Sequence, residues 1–256
     1  MSDAALLARW DALMVSVEQP YARAILKEKN RYIDACAAAF PRELRLTDHE
    51  YQLHASWMMQ LAEKYLRLAI RIALAETGST AKAAPLPWET KEGEAWDALW
   101  LLLLRQWIAQ HAGRVAKETA ETTRADLQRV IDKAHAPDVE FNPVRVAVDM
   151  LKVKALSAFR AMTIAQTETH NAMMYAGQAG AEKVANDNGV VMLKRWVPVQ
   201  DGRTRDAHAA MAGTPAIPMD QDFTVNGERM ARPGDPRGGA GNVVRCRCVL
   251  SYSVDD

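Results

Sequence analysis

Apolar side chains recur at three- and four-residue steps through the first three quarters of this chain, the period of helices that bury one face. Residues 4–40 are rich in Ala and Leu, hold no Gly and a single Pro20, and predict one or two helices ended by Pro41. The run TDHE at 47–50 has the form of a capping box, in which Thr47 and Glu50 satisfy free backbone donors at a helix start. Beyond it Leu53, Trp57, Leu61, Tyr65, Leu68 and Ile72 mark the apolar stripe of a helix that stops before Gly78. His49 and His54 ride on that helix. With no acid or Cys at ligand spacing, both read as surface or packing residues.

Residues 77–88, TGSTAKAAPLPW, are small and Pro-containing and predict a linker. The next helix carries Trp96, Leu99, Leu103 and Trp107 on one face and is expected to end at Gly113. Its Trp stripe suits a core or helix–helix contact or, for part of it, a contact with another subunit instead. Residues 114–134 continue as a charged helix whose thin apolar seam (Val115, Leu127, Val130, Ile131) suits a partner helix better than a globular core. Asn142–Pro143 is an N-cap followed by Pro at the first helical position, and the helix it starts is expected to run past Ala176. On it Arg160, Ile164, Glu168 and Asn171 form one stripe, open to a functional reading or to ordinary intrahelical charge pairing.

The period then breaks. Ten of the 13 glycines and five of the 11 prolines follow residue 176, so long helices give way to turns and short strands. Residues 190–199 are β-branched and predict a strand, Asp201–Gly202 a turn, and Val225-Asn226-Gly227-Glu228 a two-residue hairpin. Residues 233–242 read as an irregular loop, and 243–254 alternate as a final strand. The fold class expected is mainly α: a long-helix N-terminal region, 1–135, followed by a small Gly-rich α+β C-terminal domain, 136–256.

Composition narrows the function classes. The 32 basic and 32 acidic side chains balance, which gives no case for wholesale nucleic-acid or membrane binding. From Lys194 to Cys248, nine basic against six acidic residues leave a net +3, a hint of an anionic partner or simply an Arg-rich loop surface. Three cysteines, two of them only two residues apart, point to a reducing setting. The N-terminus lacks the features of a signal peptide, and ALWLLLL at 98–104 is too short to span a bilayer, so a soluble protein is expected.

The chemistry-bearing residues lie in DGRTRDAH at 201–208 and RCRC at 245–248. Residues two apart on a strand share a face, so Cys246 and Cys248 project together and Arg245 and Arg247 oppositely. Two thiols with His208 supply three ligands for zinc, with Asp201, Asp206 or His170 as a fourth; buried thiols packing a small domain are an equally sufficient account. Cys246 with His208 as base would suit thiol catalysis, but no nucleophile elbow, phosphate loop or dinucleotide fingerprint accompanies it. Arg203 and Arg205 could clamp Asp201, Glu168 or backbone carbonyls in a domain with little apolar core.

In order, Arg160, IAQTE at 164–168, KRW at 194–196, DGRTRDAH, Gly213, Asp222–Phe223, PGDP at 233–236 and the closing CRC resemble the phage head-morphogenesis family typified by Mu protein F, over roughly residues 120–252. Two positions depart from it: Gln166 where the family commonly has Arg, and Arg245 where it has Asn. The resemblance implies a minor capsid protein incorporated during prohead assembly and retained inside the head near the portal. It implies portal and major capsid or scaffold proteins as partners, packaged DNA close by, and host cytoplasm as the place of assembly. Arg160, Glu168, Asp201, Arg203, Arg205, His208, Cys246 and Cys248 carry over as motif members, with no catalytic residue assigned. The competing expectation is a metal-dependent hydrolase or nuclease carried in the head; the third is direct DNA binding through the Arg-rich end.

Overall fold

A computed structural model describes residues 2–77 and 98–255, without the side chains of residues 77 and 98–101. The linker expected over 77–88, Trp96 and the Leu99 side chain lie outside the described residues. Five long or medium helices precede the strands: α1 (Asp3–Glu43), α2 (Asp48–Thr77), α3 (Ala98–Ala134), α4 (Pro143–Lys152) and α5 (Ser157–Asn188), with one 3-10 turn at Val153–Leu156. The C-terminal quarter holds β1 (Met192–Val197), α6 (Asp206–Ala209), β2 (Ile217–Pro218), β3 (Phe223–Val225), β4 (Glu228–Met230), α7 (Ala240–Val243) and β5 (Val249–Val254). The chain is mainly α with a small strand-containing C-terminal region. No helix of the described residues is long and apolar enough to cross a membrane.

Several helices differ from their sequence expectation. Pro20 and Pro41 both lie inside α1, which continues to Glu43 instead of ending at Pro41. The buried stripe of α2 is His54, Met58, Ala62, Leu66, Ala69 and Ala73, one position removed from the expected one; Leu53 and Trp57 are exposed. Gly113 ends nothing. It sits within the continuous α3, where a Cβ would meet only Met59 Sδ at 3.9 Å. The helix begun at Asn142 is interrupted by the 3-10 turn before α5 takes over. Its cap is as expected: Asn142 Oδ1 accepts from Val144 N at 3.0 Å and Arg145 N at 3.1 Å.

Contacts divide the chain into two units, Met1–Glu18 with Leu66–Ala95 and Gln166–Asp256, and Gln19–Tyr65 with Trp96–Ala165. The second unit is all helix. One of its cores joins Tyr32, Ile33, Cys36 and Phe40 to Leu127, Ile131, Val146 and Met150. The seam on α3 expected to suit a partner helix packs with one: Leu127 and Ile131 share a core with Tyr32, Ile33 and Phe40 of α1. A second core packs Tyr21, Ile25 and Met58 on the small residues Ala116, Ala161 and Ala165.

In the other unit β1 is central, antiparallel to β2 on one edge and to β5 on the other, with Trp196 opposite Leu250. The β3–β4 hairpin turns at Asn226 (φ 51°) and Gly227 (φ 77°), the left-handed pair that a two-residue turn needs. Both β elements close on one core: Trp196, Phe223, Val225, Met230, Cys246, Cys248 and Leu250. Asp3 of α1 is held by Arg195 of β1 through two hydrogen bonds of 2.7 and 3.0 Å.

Candidate functional site

The turn after β1 is built by Asp201. Its Oδ1 accepts from Arg203 N at 3.0 Å and from Thr204 Oγ1 at 3.2 Å, while its carbonyl accepts from Thr204 N. This Asx turn delivers the chain to Arg205, whose extended backbone starts the single turn of α6 and turns His208 inward. On the opposite side α7 ends at Val243 and Arg245 adopts a left-handed conformation, φ 55°. The expected strand therefore begins only at Val249, because a left-handed residue cannot continue a ladder. Cys246 and Cys248 still both point inward, with Arg245 exposed and Arg247 partly so.

The structure brings His208, Cys246 and Cys248 together. All three are buried, and their ligand atoms lie within 4.8 Å of one another. His208 Nδ1 is 3.3 Å from Cys248 Sγ and 3.7 Å from Cys246 Sγ. The other ring nitrogen, Nε2, lies 3.3 Å from Asn242 Oδ1. Asn242 Nδ2 donates to Val225 O at 3.1 Å and to Glu228 Oε2 at 2.6 Å. Those two acceptors fix the amide, so its oxygen faces His208, Nε2 carries the proton and the Nδ1 lone pair faces both sulfurs. The Trp196 ring meets His208 edge-on at 5.6 Å. Of the two thiols, Cys246 is the one held protonated: its bond to Cys248 and its burial push it up. Cys248 is pulled down, first by that bond and against its own burial.

None of the candidate fourth ligands joins the three. His170 Nε2 is 2.8 Å from Cys248 O, and burial lowers its pKa, so it is a neutral ring donating to that carbonyl. Asp201 is engaged by Arg247 Nη2 at 2.6 Å and is held below the ordinary carboxylate range, by that bond first and the Arg203 amide second. Asp206 is exposed.

The charged motif residues are distributed. Arg203 is exposed, with only a 3.5 Å approach to Asp201. Arg205 donates from Nη2 to Val244 O. Glu168 is buried on α5. Arg160 belongs to the all-helical unit, where it pairs with Asp126. Asp235 accepts from Ala231 N at 2.7 Å and Arg237 N at 3.0 Å, and Arg237 reaches on to both oxygens of Asp222. Lys194 is fully buried and donates to Ala231 O at 2.9 Å. Lys194 of KRW, Asp222 and Asp235 of PGDP therefore belong to one set of loop staples.

Sequence reasoning missed Asn242, Trp196 as a neighbour of the sulfurs, and Arg247 as the partner of Asp201. Arg247 carried a usable signal, since it faces away from the buried thiols toward solvent and Asp201. Asn242 carried none, because its role depends on Glu228 across the hairpin.

No curated protein and no solved structure matches the chain. Residues 112–251, more than half of its length, match the family described as Phage Mu protein F like protein. With its Asp201 turn, its paired cysteines and its PGDP loop in place, the chain belongs to that family of phage head morphogenesis proteins.

Proposed function

We propose that this chain is a minor head protein of a tailed phage or prophage, taken into the prohead during assembly and retained inside the shell near the portal and packaged DNA. One observation carries the reading beyond family membership: several of the motif charges are engaged by the protein's own loops. Asp201 closes on Arg247, Asp222 and Asp235 on Arg237, Lys194 and Arg205 on backbone carbonyls. Such staples hold together a small domain whose apolar core is limited. Residues 1–135 would supply helical assembly contacts and residues 136–256 the stapled Mu F-like domain. Portal protein and major capsid or scaffold protein are the partners. An exposed apolar row on α4 and beyond it (Val144, Val148, Leu156, Phe159) supports protein contact as the mode of action.

A metal-dependent hydrolase or nuclease is the second reading, and the His208–Cys246–Cys248 triad is what favours it. Counting copies by quantitative mass spectrometry in purified proheads and mature particles separates the two. A handful of copies in both supports the head protein. None in either sinks it and leaves the enzyme.

A further inference from the structure

We infer that His208 Nδ1, Cys246 Sγ and Cys248 Sγ bind one zinc ion in the core of the C-terminal unit. The distances are the first argument. A tetrahedral zinc with Zn–N of about 2.0 Å and Zn–S of about 2.3 Å places nitrogen and sulfur about 3.5 Å apart. The two N···S separations here, 3.3 and 3.7 Å, straddle that value.

Ring orientation is the second argument. Asn242 is locked by Val225 O and Glu228 Oε2 and so fixes the proton on His208 Nε2. That outer hydrogen bond is the usual device for aiming the other imidazole nitrogen at a metal. The Nδ1 lone pair is directed at two sulfurs at once, and one bound cation satisfies all three groups together.

Charge is the third. Two thiolates and a neutral imidazole compensate a divalent cation fully, so the filled site is neutral overall. A neutral centre is what a core walled by Trp196, Phe223 and Leu250 tolerates. Soft sulfur with imidazole selects zinc over calcium or magnesium. His208, Cys246 and Cys248 are the only such donor group among the described residues. The ion would join the turn of α6 to the run entering β5, segments 37 residues apart in sequence. It would do so whether or not the chain assembles heads.

The full chain, purified reduced and without chelator, tests this by elemental analysis and cobalt substitution. One zinc per chain is expected, replaced by Co(II) with a thiolate-to-cobalt charge-transfer band and strong tetrahedral visible bands. His208→Ala, Cys246→Ser and Cys248→Ser each lose the ion, Cys36→Ser keeps it, and Asn242→Ala weakens affinity about 10- to 100-fold. If a ligand variant does not fold, the cobalt spectrum of the unaltered protein decides. Metal content below about a tenth of an equivalent with no charge-transfer band would overturn the assignment. So would zinc that survives Cys246→Ser or Cys248→Ser, or that leaves with Cys36→Ser.

Discussion

Arg245 Nε donates to Gln166 Oε1 at 3.0 Å, joining the two positions that the sequence comparison set apart from the family resemblance. Arg245 N also donates to Thr167 Oγ1 at 3.2 Å, so the backbone anchor does not depend on that side-chain bond. Arg245 is left-handed at φ 55°, a conformation Asn tolerates better than Arg. Arg245→Asn should therefore be near neutral, relief of about 1 kcal/mol of backbone cost offsetting a lost hydrogen bond of about 1 kcal/mol. Arg245→Ala loses the bond without relief and should destabilise. Denaturant titration of both variants checks the pair, and equal losses would mean the left-handed backbone is not a factor.

Among the described glycines, Gly234 is the one whose added Cβ would meet the shortest contact. Its φ is 74°, and a Cβ there would lie 2.6 Å from His170 Nδ1 on a ring already fixed by Cys248 O. Gly227 has φ 77° with nothing within 4 Å. Gly227→Ala should cost about 1–2 kcal/mol, the left-handed penalty alone. Gly234→Ala adds the displacement of a buried ring and should cost clearly more, measured by chemical denaturation. Equal costs would show that His170 moves aside freely.

Arg203 and Arg247 should separate in the same assay. Arg203→Ala removes a largely exposed side chain with one long ion contact and should shift stability by less than about 0.5 kcal/mol. Arg247→Ala removes the 2.6 Å partner of Asp201 and should lower Tm measurably more. A larger drop in the Arg203 variant would relocate the staple.

His54 gives the all-helical unit a pH dependence. Its ring is fully buried, stacked on Tyr32 at 4.4 Å, with Nδ1 3.1 Å from Glu28 Oε1. Burial, aided by nearby Lys29 and Arg31, lowers its pKa against the opposing pull of Glu28. The folded value is thus below the unfolded value of about 6.5, and as pH falls the unfolded chain takes up the proton first. The stability that His54 contributes is complete above that pH and is lost below it, at up to about 1.4 kcal/mol per pH unit. Unfolding free energies between pH 7 and 5 should fall less steeply in His54→Gln than in the parent. Parallel curves would remove His54 as the titrating group.

Helices were legible in the sequence because their period is local; the faces they bury were less so. On α2 the buried stripe runs through Ala62, Ala69 and Ala73, where close helix approach rewards small side chains, while Leu53 and Trp57 stay outside. Hydrophobicity alone weights Leu and Trp above Ala and so points one residue away. The 3-10 turn at Val153–Leu156 contains neither Gly nor Pro and leaves no local mark. In the site, two cysteines and a histidine could be named from residue type, but the proton on His208 depends on Asn242 and Glu228, whose convergence is tertiary. The pairing of His54 with Glu28 across 26 residues was invisible for the same reason.

Helix α4 is apolar on two faces, and among the described residues one of them is buried. Val146 and Met150 are buried in the core with Tyr32 and Leu127. On the other face Val144 and Val148 are 63% and 52% exposed, with Leu151 also exposed, and Phe159 at the start of α5 is 66% exposed. An i, i+4, i+7 apolar row facing water costs solubility and is kept where a partner covers it. Val144→Asp with Val148→Asp should change Tm little, since exposed substitutions usually stay within about 0.5 kcal/mol. The same double variant should enter particles at a several-fold lower copy number, counted by mass spectrometry of purified heads. Parent-level copies would place the assembly contact elsewhere on the helices. A collapsed Tm would show instead that this face is packed within the chain, because a carboxylate is destabilising only where water is excluded.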